Sequence, residues 1–152
     1  MAIIKATRHN SPAFEAYLSA NQTVSDDTAV KIQFNTEIYD TDNCYDNSTN
    51  YRFTPTTAGK YFVYTKVGSD TDAGNMRNSR VYLYKNGASF TYTIINMDGN
   101  NGEGASPYLG QIVDMNGSSD YLEIYVNFET GDGNDPRASG SLSMFGAYKI
   151  IT

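Results

Sequence analysis

Histidine and cysteine are the side chains that most readily serve as general base or nucleophile near neutral pH, and this chain carries one of each, His9 and Cys44. Their positions do not suggest a catalytic pair. His9 belongs to an N-terminal arm, residues 1–11, so a Ser-His-Asp or Cys-His arrangement would have to recruit a residue from an irregular segment. Cys44 lies within Asp40-Thr41-Asp42-Asn43-Cys44-Tyr45-Asp46, where neighbouring carboxylates raise a thiol pKa and oppose thiolate formation. As the only cysteine it can make neither an intrachain disulfide nor a cysteine-based zinc site. The expectation is a protein that is not an enzyme, with a small hydrolase that uses His9 as its base as a rival.

Oxygen-rich turns are the remaining chemical candidates: Asp40/Asp42/Asp46, Ser69-Asp70-Thr71-Asp72, Asp98 to Glu103 and Asp132-Gly133-Asn134-Asp135. Hard cations such as calcium take roughly six to eight oxygens from carboxylates and carbonyls. None of these turns completes the EF-hand pattern, because Asp98 and Asn100 are followed by Gly102 and no Glu stands at the last place. A calcium site drawn from Asp70, Asp72, Asp98 and Asp132 is one reading and solvated turns are the other. No cofactor is required by any motif.

The elements that would position these groups are strands. The chain has 152 residues, 39% of them apolar, which is enough for one core and one domain, residues 12–152. A formal net charge of −6 and a pI of 4.6 argue against nucleic acid and anionic lipid as partners. Neither a signal-peptide run nor a membrane-spanning run occurs, so a soluble chain made in the cytoplasm is expected. Leu122, Ile124, Val126 and Phe128 alternate with polar or amphipathic residues, which is the period of a strand. Val30, Ile32 and Phe34 alternate likewise, as do Phe90, Tyr92 and Ile94, and both segments read as half-buried strands. Lys85-Asn86-Gly87 is a hairpin signal that pairs Val81–Tyr84 with Ala88–Ile95. In Tyr61-Phe62-Val63-Tyr64 both parities are apolar, so this strand is expected to be covered on both faces. No helical periodicity appears. An all-β sandwich follows, and without tryptophan or a cysteine pair it is a jelly roll rather than an antibody-type domain.

Several segments carry a resemblance. Pro12-Ala13-Phe14-Glu15-Ala16 opens the domain, Arg52-Phe53-Thr54-Pro55 and Gly59-Lys60-Tyr61-Phe62 form its centre, Pro107-Tyr108-Leu109-Gly110 precedes Asp120-Tyr121-Leu122-Glu123, and Phe145-Gly146-Ala147-Tyr148 closes it. In this order they resemble the globular-head domain of complement component one, subcomponent q, and more loosely the tumour-necrosis-factor superfamily. The resemblance implies a ten-stranded jelly roll that assembles as a homotrimer, and it puts the axial contacts on Phe62, Tyr64, Tyr108, Met144, Tyr148 and Ile150. Some members hold calcium near the trimer apex. The residues ask independently for such burial, since Phe62 and Tyr64 lie opposite core-facing Tyr61 and Val63, and burying one aromatic side chain contributes about 1.5–3 kcal/mol.

The pattern also looks like the globular-head-like domains of tailed-bacteriophage structural proteins, whose particles need no export. The leading expectation is therefore a non-enzymatic homotrimeric virion protein, at a fibre tip or as a capsid or tail decoration. It would adhere to a host-surface glycan or protein, or to another virion component, without inserting into a membrane. The alternative is an extracellular, secreted-type soluble lectin or cytokine-like ligand of the same superfamily.

Overall fold

Alternating apolar and polar residues build two packed antiparallel sheets in the computed structural model, which describes residues 10–72, 74–99 and 102–150. In chain order the strands are β1 (Ala13–Tyr17), β2 (Gln22–Thr23), β3 (Val30–Lys31), β4 (Thr36–Asp40), β5 (Tyr45–Asp46), β6 (Arg52–Phe53), β7 (Gly59–Asp70), β8 (Met76–Lys85), β9 (Ala88–Asn96), β10 (Tyr108–Met115), β11 (Leu122–Thr130) and β12 (Arg137–Lys149). Sheet I runs β10-β7-β12-β1-β4, with β2 added to β12, and sheet II runs β5-β6-β11-β8-β9, with β3 added to β11. The neighbours β7 and β12, like β8 and β11, are far apart in sequence, so the chain crosses repeatedly between layers.

The inner parity of each strand fills the core. From β7 come Tyr61, Val63 and Val67, and from β11 Leu122, Ile124, Val126 and Phe128, all fully buried. Phe14 of β1 is the hub: its ring stacks on Tyr45 at 4.5 Å and Phe53 at 4.6 Å between centroids, and meets Phe145 edge-on at 4.9 Å. The core tyrosines have hydrogen-bond partners for their hydroxyls, Tyr45 donating to Phe34 O at 3.0 Å and Tyr61 to Thr57 O at 2.7 Å. The opening Ala-Phe, the central Phe-Thr-Pro and the closing Phe-Gly segments thus meet in one aromatic cluster.

The Asn-Gly hairpin forms as the sequence indicates. Asn86 and Gly87 have φ of 54° and 78°, and Val81 pairs with Thr93 while Leu83 pairs with Thr91. Three details depart from expectation. The described residues contain twelve strands instead of ten, four of them only two residues long. The segment starting at Val30 is a strand over Val30–Lys31 alone. Ile32 still donates to Ile124 O at 2.9 Å and is buried with Phe34, but the next carbonyl on that side, Phe34 O, accepts from the Tyr45 hydroxyl and Leu122 of β11 is paired with Phe53, so the ladder stops. Finally, β9 is not half-buried by its apolar parity. Its register puts Thr91 and Thr93 opposite core-facing Leu83 and Val81, so Tyr92 and Ile94 point outward from an edge strand. Phe90 falls at the register shift and is 49% exposed.

Candidate functional site

The outer parity of β7 begins the site. Because Tyr61, Val63, Thr65 and Val67 face the core, Phe62, Tyr64 and Lys66 must face away from it, and the register places three rows across sheet I. One row runs Ile112, Phe62, Tyr148; the next runs Gly110, Tyr64, Gly146, Glu15, Tyr39; the third runs Tyr108, Lys66, Met144, Tyr17. Phe62 lies 5.6 Å from Tyr148 and 6.1 Å from Tyr64 between ring centroids. Ile150 continues the same parity just beyond β12, with its N–H donating to Lys60 O at 2.8 Å.

All six residues expected at the axis therefore share one face of one sheet. Phe62, Tyr64, Met144, Tyr148 and Ile150 are half-buried within the single chain, and Tyr108 is 53% exposed. The face also holds residues that the sequence reading missed. Ile112 is 50% exposed, and Tyr17, Ile38 and Tyr39 are exposed beside it. Parity could have found Ile112, which alternates with core-facing Leu109, Val113 and Met115 in the manner of Tyr108.

Tyr64 is held by a specific local geometry. Glycines flank it on both neighbouring strands, and its ring lies over Gly146, where a Cβ would come within 2.5 Å of the Tyr64 Cζ. That close approach explains the Phe-Gly of the last strand in physical terms. The phenol crosses Gly146 and donates to Glu15 Oε2 at 2.6 Å. Burial first, and the bond to Glu15 second, push the Tyr64 phenol far above its ordinary value, so it stays a neutral donor. At one end of the face is a depression of about 460 Å³, lined by Glu15, Tyr17, Ile38, Lys66, Leu142 and Met144. The site is a ring-paved surface with the Glu15 carboxylate already bonded, Lys66 at one end and the Lys60–Asp114 ion pair at the other.

The calcium candidates do not converge. Asp70 and Asp72 are both bound by Arg137, at 3.0 and 2.5 Å, and Asp132 accepts from Asn134. Among the described residues no three metal-ligating side chains come together, Asp98 included. Asp70 and Asp72 share one arginine and Asp132 is held in its own turn. His9 lies outside the described residues. Cys44 is buried, and burial followed by Asp40 pushes its thiol up to about 12, so no nucleophile is available there.

Comparison with known proteins agrees with the fold. No family model and no curated protein matches the sequence. Among solved structures, the globular domain of zebrafish complement 1qA protein is similar at a TM-score of 0.66 and 14% identity, over 93% of this chain and 98% of that one. Murine APRIL is similar at a TM-score of 0.65 and 9% identity, over 91% of this chain and 98% of that one. Two antiparallel sheets in this arrangement are consistent with the jelly-roll fold of these two structures.

Proposed function

We propose that this chain is a non-enzymatic binding head that works as a homotrimer, three copies packing the outer faces of sheet I around a three-fold axis. One observation carries the proposal: that face is paved by Phe62, Tyr64, Tyr108, Ile112, Met144 and Tyr148, with Glu15 satisfied by Tyr64, on a chain whose other layer already fills the core. A lone copy leaves this surface in water, whereas a second and third copy bring the same apolar surface to cover it. The likeness to the complement globular domain and to APRIL supports the reading through the fold.

The head would hold its outer sheet and loop tips toward a ligand on a cell surface or toward a neighbouring protein of a larger particle. Placement on a phage virion rests on the sequence resemblance alone. The alternative, a soluble lectin or cytokine-like ligand, needs the same trimer and draws on the likeness to APRIL. Light scattering on the intact chain at micromolar concentration tests the proposal. Three times the 16.8 kDa chain mass is expected, and a mass of one chain would overturn it.

A further inference from the structure

We infer that the outer face of sheet II is a binding platform for a carboxylate-bearing saccharide, centred on Arg80 beside Tyr82 and Tyr92. This goes beyond the trimer and does not depend on it, although it takes the chain to be a binding head. The rings form a continuous band across three strands. Tyr125 of β11 stacks on Tyr84 of β8 at 4.2 Å, Tyr84 meets Tyr82 edge-on at 6.0 Å, and Tyr82 lies 5.6 Å from Tyr92 on the edge strand β9. Tyr92 is 58% exposed.

Cations are interleaved with the rings. Arg80 Cζ sits 5.8 Å from the Tyr92 centroid and 6.0 Å from that of Tyr82, Lys31 Nζ is 5.9 Å over Tyr125, and Arg52 Cζ is 4.5 Å over Tyr121 at the near end of the band. Lys31 is neutralised by Glu123 at 2.7 Å. Among the described residues Arg52 and Arg80 have no carboxylate within ion-pair distance. The strands of sheet II carry five Lys and Arg against three Asp and Glu, in a chain that carries 11 against 17. The one strand layer with a cation excess is therefore also the one with the tyrosine band.

Two buried polar atoms at the centre of the band lack partners. Arg80 and Asn127 are paired across β8 and β11, and Arg80 Nε and Asn127 Oδ1 are both enclosed without a hydrogen bond. Asn127 is more than nine-tenths buried, its amide N–H₂ given to Asp27 at 3.1 Å. Arg80 spends one donor on the Tyr82 hydroxyl at 3.1 Å. A guanidinium beside two rings has terminal N–H groups left over for the planar fork that a carboxylate matches. Exposed tyrosine faces beside it suit the apolar face of a sugar ring, and neighbouring amides suit its hydroxyls. Asp27, which accepts from Asn127 and lies near enough to act on Arg80 without an ion pair, leaves the guanidinium free for a direct carboxylate contact that a neutral sugar cannot make. On a chain of net charge −6 an anionic ligand is repelled from most of the surface, so a local cation excess also gives selectivity of place.

The test is an array of uronate- and sialate-bearing glycans beside their neutral counterparts, probed with the intact chain at low and high salt. Binding confined to the carboxylated glycans and weakened by salt is expected. Arg80→Gln should then weaken the best carboxylated glycan about tenfold or more, with an unchanged melting temperature. Tyr92→Ala, at an exposed edge position that folding does not need, should weaken it several-fold. Equal binding of neutral glycans, no glycan binding at all, or full affinity in Tyr92→Ala would overturn the inference. Light scattering of the same samples reads the trimer separately, so either proposal can fail alone.

Discussion

Replacing Ile112 by Asp tests the assembly face most sharply, because Ile112 stands opposite Phe62 on the edge strand β10 and half of it is still in water. Completing the burial of that side chain would contribute about 1 kcal/mol per copy. An aspartate there reverses the sign, since an unpaired carboxylate closed into an apolar contact costs several kcal/mol. Three symmetry-related carboxylates would together cost about 10 kcal/mol out of roughly 16 kcal/mol for a trimer half-assembled at micromolar concentration, two steps of roughly 8 kcal/mol each, which moves its assembly into the millimolar range. Ile112→Asp should therefore be a single-chain species at concentrations where the unmodified protein is trimeric. Its own fold should hardly suffer, because an exposed edge position tolerates a polar side chain at a cost of about 1 kcal/mol or less. Light scattering gives the mass, and far-ultraviolet circular dichroism with a melt shows that the sandwich persists. A folded variant that stays trimeric would show that this face is not what the copies share.

Three further outcomes follow from the core and the turns. Phe14→Ala removes a fully buried ring that contacts Tyr45, Phe53 and Phe145, and should lower unfolding free energy by about 3–5 kcal/mol in denaturant titration. The Cys44 thiol, pushed up to about 12, should be almost inert to Ellman's reagent at pH 8 in the native chain and should react at once in urea. Rapid native labelling would refute that account of its surroundings. The Asp46 carboxylate accepts from the backbone N–H of Thr49, and also from Ser48 and Asn50, which holds its pKa well below the ordinary 3.8. A depressed carboxylate contributes stability that is present above the unfolded value and lost as pH falls toward the folded one. Asp46→Asn should melt lower than the unmodified chain at pH 7, and the gap should narrow below about pH 4, where the unfolded state begins to take up the proton.

The fold was legible where one parity of a strand is apolar and the other polar. Leu122 to Phe128 and the Asn86-Gly87 hairpin come out in place because alternation and positive φ are local properties. The outward direction of Phe62 and Tyr64 on β7 was legible for the same reason, since they alternate with core-facing Tyr61 and Val63. What failed depended on partners far along the chain. The short ladder at Val30 ends because Tyr45 takes the Phe34 carbonyl and Phe53 takes the place opposite Leu122, partners that no window around Val30 contains. The outward turn of Tyr92 and Ile94 is set by the register with Val81 and Leu83, and periodicity alone cannot say which parity faces the core. That Asp70 and Asp72 share Arg137, more than sixty positions from Asp70, is likewise invisible in sequence.

The two outer faces differ in the chemistry they present. Sheet I presents rings and aliphatic side chains with its one central carboxylate already bonded, a surface that loses little on leaving water. Sheet II presents rings interleaved with cations, two of which lack a carboxylate partner, and burying those against a like copy would put unpaired charge at the contact. Self-association through sheet II is thus opposed by the same arginines that would recruit an anion. Arg80→Leu offers the converse perturbation: it keeps the stem against the rings and removes the charge. It should abolish selectivity for carboxylated glycans while raising the tendency of trimers to associate further, which sedimentation velocity would read as species heavier than the trimer. A variant that loses neither selectivity nor solubility would show that the guanidinium does not set the character of this face.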